Sequence, residues 1–121
     1  PAANTAVGRY NCLIKRNWDE GLDMLVKGDD PQLRQLAEAD RANPDGHEAQ
    51  AALADAWWTW SEGANMSTET SSARARAIHW YQKALPAMPP GLARVTASRR
   101  VSEGANSEKK YSSASRPTAS D

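Results

Sequence analysis

The chain has 121 residues, a length that suits one small domain with a modest core. Its 15 Lys and Arg balance 15 Asp and Glu, so no overall attraction to nucleic acid or to an anionic membrane is expected. The lone cysteine, Cys12, rules out an internal disulfide and a thiolate metal cage, and no apolar run approaches the roughly 20 residues that span a bilayer.

Charge is nevertheless unevenly placed. Residues 1–60 carry six basic and ten acidic side chains, a net of −4, whereas residues 61–121 carry nine and five, a net of +4. Such asymmetry orients a partner or steers end-to-end association, so self-association enters the expectations. The sequence starts "PAANTAVGRY", without Met and inside an apolar-periodic stretch. It reads as a piece of a longer protein, whose targeting signals would lie upstream and whose compartment stays open.

The periodicity is helical throughout and predicts an all-α fold. Ala3, Ala6, Val7, Tyr10, Leu13 and Ile14 form a first stripe. Asn17 with Glu20 resembles a capping box for a second helix, whose Trp18, Leu22, Leu25 and Val26 share one face. Lys27 and Gly28 give that helix a basic last turn and a left-handed stop. Asp30-Pro31 then opens a third helix with Leu33, Leu36 and Ala37 inward.

"NPDG" at 43–46 is a turn by composition, and Asp45 with Glu48 caps a fourth helix. The polar stretch 61–72, "SEGANMSTETSS", is expected to be a loop before a fifth helix from about Ala73 to Leu85. On that helix Ala77, Trp80, Tyr81, Ala84 and Leu85 face the core, with Arg76, His79, Gln82 and Lys83 opposite. Pro86, Pro89 and Pro90 end it. The expected organisation is a helical domain over 1–90, a short weak helix over 91–101 and a disordered tail over 102–121.

Three of the five tryptophans fall in "DAWWTW", residues 55–60. At 100° per residue, Ala49, Leu53, Ala56, Trp57 and Trp60 make one stripe, and Ala51, Ala54 and Trp58 a second. A helix with two apolar faces is buried between two neighbours. Trp57 and Trp60 are therefore assigned to the core with Trp18, Leu22, Leu25, Leu53, Ala77, Trp80, Tyr81 and Ala84. Trp58, Ala54 and Ala51 become the candidate partner-contact face.

Paired helices of this kind suggest a short α-solenoid, and the residues resemble the tetratricopeptide repeat. "LADAWW" is similar to that family's first-helix signature, with Leu53, Ala54 in place of Gly, and Trp57 in the Tyr position. "AIHWYQKALPAMP" is similar to its second helix, with Ala77, Tyr81 in place of Phe, Ala84 and Pro89. Val7-Gly8 and Gly21 match more loosely in an earlier unit.

The spacings depart from the family. Leu53 to Ala77 is 24 residues, where the family's usual spacing is about 13, so 61–72 reads as an insertion, and Val7 to Leu53 is 46, where the family's period is about 34. "NWDEGLDMLVKGDDPQLRQLA", "AQAALADAWW" and "AIHWYQKALP" together also resemble a divergent helical segment of large multidomain bacterial proteins. The resemblance implies antiparallel hairpins of about five helices and no catalytic role.

No local chemistry competes with that expectation. His47 and His79 have no carboxylate or Cys at metal-ligand spacing. "KGDDPQ" lacks the alternating ligands of a calcium loop, and there is no Gly-rich phosphate loop. Arg74, Arg76, Arg94, Arg99 and Arg100 are not interleaved with exposed aromatics as in single-strand binders. The expectation is a noncatalytic, cofactor-free module for protein–protein interaction or domain spacing, without nucleic-acid or membrane partners. The alternative is a carbohydrate-binding module that stacks sugars on Trp58 and Trp18.

Overall fold

The computed structural model describes the backbone of residues 1–115 and the side chains of residues 1–106. All regular structure among these residues is helical. Helix α1 (Ala2–Arg9) runs on into a π-helical turn (Tyr10–Ile14), followed by α2 (Trp18–Val26), α3 (Pro31–Arg41) and α4 (His47–Glu62). Next come α5 (Ser67–Ala84), a 3-10 turn (Leu85–Ala87) and α6 (Leu92–Ser115). The all-α class is as expected, with six helices rather than about five. Each helix packs against the next, most extensively α4 against α5, and the π turn reaches across the chain to α5.

In the first hairpin, glycine decides which faces meet. A Cβ on Gly21 would lie 2.4 Å from Cys12 Sγ and 2.8 Å from the Cys12 backbone nitrogen, and one on Gly8 would lie 2.8 Å from the Leu25 side chain. The two helices therefore approach closely along Gly8, Cys12 and Gly21. This corrects the stripe expected on α1: Ala3, Ala6, Val7 and Tyr10 face solvent, while Gly8, Cys12 and Leu13 are buried. Hydropathy favours the bulkier face, but only the glycine face admits a neighbouring backbone. The π turn, in which the Lys15 amide donates to the Tyr10 carbonyl at 3.0 Å, adds a residue to the helix where Cys12 and Leu13 turn inward. Arg16, at φ 58°, ends it in the left-handed region.

Of the three expected caps, one forms. The Asp30 carboxylate accepts from the Leu33 amide at 3.1 Å, with Pro31 in the first turn of α3. Asn17 occupies the N-cap of α2, but its side chain makes no capping hydrogen bond; Asp19 and Glu20 in the first turn still suit the helix dipole. Gly46, not Asp45, is the N-cap of α4. Nor is Gly28 a left-handed stop: it lies where Thr5 presses in, its Cβ position only 2.3 Å from Thr5 Oγ1.

Two segments that looked irregular are helical. The polar stretch expected to be a loop contributes the end of α4 and the first turns of α5, leaving only residues 63–66 as a connection. Three of its polar side chains, Ser61, Glu69 and Ser72, turn inward rather than into water. Glu69 receives two hydrogen bonds from the Arg9 guanidinium, at 2.8 and 3.1 Å, Ser72 accepts from Arg16 Nε, and Ser61 accepts from Arg74 Nε. Helix α6 covers the expected weak helix and runs through residue 102 to Ser115, where disorder was expected; residues 116–121 lie outside the described residues. Small residues seat it: Ala97 and Gly104 are buried, and Gly104 lies so close to Ile78 that a Cβ would overlap the Ile78 Cδ1.

Candidate functional site

The tryptophans converge on one carboxylate. Asp40, near the end of α3, has a fully buried side chain. Its Oδ2 accepts from Trp57 Nε1 at 2.9 Å, from Trp80 Nε1 at 3.0 Å and from Arg76 Nε at 2.9 Å, and its Oδ1 accepts from Arg76 Nη2. The Arg76 guanidinium lies over the Trp18 ring at 4.9 Å, and Trp18 meets Trp57 edge-on at 5.5 Å between centroids. Four helices thus meet at one ion pair, every partner of which is hydrogen-bonded or stacked. Leu22, Leu25, Leu53, Ala77, Tyr81 and Ala84, assigned to the core from spacing, are buried around it, and Trp18 and Trp60 are half-buried at its margins.

Sequence reading missed Asp40 and Arg76, although a signal existed. Asp40 continues the stripe of Leu33, Leu36 and Ala37 at helical spacing, which places a carboxylate on the buried face of α3. A buried carboxylate demands donors, and the indole nitrogens and Arg76 supply them.

The candidate contact face needs correction. Trp58 is only 6% exposed and Ala54 is fully buried; Ala51 is half-buried against the core. Helix α6 packs on α5, and from it the Arg100 side chain reaches over this side of α4. The guanidinium groups of Arg74, at 4.7 Å, and Arg100, at 5.0 Å, both lie over the Trp58 ring. Arg100 also donates to the Tyr81 hydroxyl at 2.6 Å and to Asp55 Oδ1 at 3.2 Å, while the Tyr81 hydroxyl donates to Asp55. Burial, reinforced by the bond to Asp55, raises the Tyr81 pKa well above the ordinary phenol range. Trp58 has no open face for a sugar, and Trp18 has one face under Arg76.

The open aromatic edge belongs instead to Trp60. Together with α3 and α4 it borders a groove of about 900 Å³. Leu36 and Leu53 form its base, and Ala39, Ala42, Ala49, Ala52 and Ala56 its exposed walls, with Pro44 and Thr59 at the ends. The first stripe of α4 is therefore divided: Leu53 and Trp57 face inward, while Ala49, Ala56 and the edge of Trp60 face the groove. Short side chains explain the depth, since α3 and α4 touch far more sparsely than α4 and α5. Asp55 is the one charged residue in the lining, and it lies on an outer stripe of α4 with Glu48 and Glu62 at heptad spacing.

Reactive groups elsewhere are quenched. Cys12 is fully buried, and burial pushes its thiol up to about 12, so it stays protonated and unreactive at neutral pH. His79 is half-buried beside Arg76 and Lys83; burial first, then these cations, lower its pKa. Among the described residues no three His, Cys, Asp or Glu side chains are grouped to hold a metal ion. No helix among them is long and apolar enough to cross a membrane. No family model matches the chain, and no curated protein or solved structure shows significant similarity to it.

Proposed function

We propose that the chain is a noncatalytic helical module that binds a partner helix in the groove between α3 and α4. The observation that carries this reading is the groove itself, with its alanine walls and apolar base. A small-molecule site brings several polar groups together around its ligand, whereas this groove is open and lined mainly by alanine and leucine, with Gln32, Gln35, Asp55 and Thr59 as its polar members. Such walls let a helix backbone come close and receive its larger side chains, the helix-in-groove mode of recognition. The flanking stripe of Glu48, Asp55 and Glu62 favours a partner whose apolar stripe is bordered by Lys or Arg.

The same reading takes the fold as a divergent tetratricopeptide-like solenoid. It is supported by the α1–α2 hairpin closed on Gly8 and Gly21 and by the tight α4–α5 hairpin carrying "LADAWW" and "AIHWYQKALPAMP". Helix α3 is an addition to that pattern, and it makes one wall of the groove. The outward stripe of Ala3, Ala6, Val7 and Tyr10 on α1 suits packing against a further helix of a longer array.

The test is a titration with a basic amphipathic peptide carrying Leu at positions i, i+3 and i+7 between lysines. Amide resonances of α3 and α4 are expected to shift, and Ala56→Arg to weaken binding at least tenfold. Shifts confined to other helices, or unchanged binding by Ala56→Arg, would overturn the reading.

A further inference from the structure

We infer that a second cavity, formed where α4, α5 and α6 meet beside Trp58, binds a small zwitterion: an α-amino acid with a compact apolar side chain. The inference does not depend on the groove between α3 and α4.

Helical register builds this cavity. Ser71, Arg74 and Ile78 recur on one face of α5, which therefore supplies both polar groups and an apolar wall. Trp58 enters from α4, and Glu103 and Gly104 enter from α6. Gly104 lies so close to Ile78 that α6 approaches α5 tightly there, and this contact holds the neighbouring Glu103 at the cavity. The volume is about 210 Å³. Pockets for drug-sized ligands run from about 300 to 1,000 Å³, so this one suits a single smaller molecule.

Charge selects the occupant. Arg74 is fixed in place: its Nε donates to the buried Ser61 Oγ at 3.0 Å, and its guanidinium lies over the Trp58 ring at 4.7 Å. Among the described residues, its two Nη nitrogens meet no acceptor and no carboxylate pairs with it. A guanidinium held in this way offers the paired N–H groups that match a carboxylate.

Glu103 lines the same cavity without forming an ion pair with Arg74. Its ion pair among the described residues is with Arg99 at 3.9 Å, between side chains 58% and 61% exposed. So long and exposed a pair contributes little and leaves the carboxylate open to a second cation. Opposite charges that share a cavity without meeting suit a ligand that carries both, a carboxylate for Arg74 and an ammonium for Glu103. A phosphate or a simple carboxylate would meet Glu103 as a like charge. Thr70, also in the lining, commits its hydroxyl to the Ser61 and Met66 carbonyls, whereas the Ser71 hydroxyl has no such partner among the described residues and adds a donor beside Arg74. Ile78 and the Trp58 ring leave apolar surface for a short side chain.

An NMR titration of the full chain with L-valine tests this, alongside 3-methylbutanoate, which lacks the ammonium, isobutylamine, which lacks the carboxylate, and inorganic phosphate. L-valine is expected to give saturable shifts at the Trp58 indole N–H and at the amides of residues 71–78 and 103–104. Each analogue and phosphate should bind at least about tenfold more weakly, the scale of one lost hydrogen-bonded charge. Arg74→Gln should abolish binding of L-valine. Glu103 is exposed, so Glu103→Gln keeps the fold, checked by circular dichroism, and should erase the preference for L-valine over 3-methylbutanoate. If Arg74→Gln does not fold, the analogues and Glu103→Gln decide the matter by themselves. Absence of saturable shifts with L-valine overturns the inference. So does binding of phosphate or 3-methylbutanoate as tight as that of L-valine, or a preference for L-valine that survives Glu103→Gln.

Discussion

At the scale of single residues, Asp40 holds the most consequential position. It brings a negative charge into the centre of the molecule and satisfies two indole N–H groups and one guanidinium there. Removing one partner of a buried pair leaves the others desolvated and unpaired. Asp40→Ala is therefore expected to cost about 3–5 kcal/mol, read from urea denaturation. The control is Asp23, whose pair with Arg41 at 3.0 Å is half-exposed on both sides. Asp23→Ala should cost less than about 1 kcal/mol. Equal effects would mean that the hub contributes no more than a surface pair. The aromatic members of this hub were legible from helical spacing, because apolar periodicity reports burial. The ionic members were not, because Asp and Arg are ordinarily surface residues; the register of Asp40 on α3 betrays it, whereas that of Arg76 on α5 assigned it to the face opposite the core, from which it reaches in to Asp40.

At the scale of the helical elements, close approach outweighs propensity. Gly21 lies inside α2, where exchange for Ala would by itself favour the helix by about 1 kcal/mol. Its added methyl, however, would press on the sulfur and backbone nitrogen of Cys12. The backbone cannot yield as a flexible side chain can, so Gly21→Ala is expected to destabilise by about 1–3 kcal/mol, visible as a lowered denaturation midpoint with an unchanged slope. A gain in stability would show that the α1–α2 crossing is looser than this packing requires. Sequence patterns report such elements unevenly. The Asp30-Pro31 start was legible because its chemistry is local, whereas the helical start of α5 and the continuation of α6 beyond residue 101 were not. Ser72 and Glu69 are buried within α5, where Arg16 and Arg9 reach them from 56 and 60 residues away, and no local pattern carries that information. The groove escaped notice for a related reason: alanine reads as filler in a sequence, and only two facing helices turn a set of alanines into a concave surface.

At the scale of the whole molecule, two protonated groups tie separate parts of the fold to one pH response. Cys12 lies in the α1–α2 crossing, and Tyr81 in the corner shared by α4, α5 and α6. Burial is the first cause of both shifts, and both folded-state pKa values are raised, so folding favours the protonated form of each group. The stability they contribute is fully present below the unfolded values and is lost as pH rises toward the folded ones. For Cys12 that window opens at its ordinary 9.0 and closes at about 12; for Tyr81 it opens at the ordinary 10.0. The urea midpoint should therefore be unaffected by these two groups near neutrality and fall progressively above pH 9. The decisive comparison is between variants. Cys12→Ala should lower stability near neutrality through lost packing, yet show a shallower decline between pH 9 and 12 than the parent chain. Parallel curves would mean that the thiol ionises in the folded protein as easily as in the unfolded one, and that the α1–α2 crossing admits water. A shallower curve would identify that crossing as a dry contact, with Gly8, Cys12 and Gly21 sealing the first hairpin against solvent.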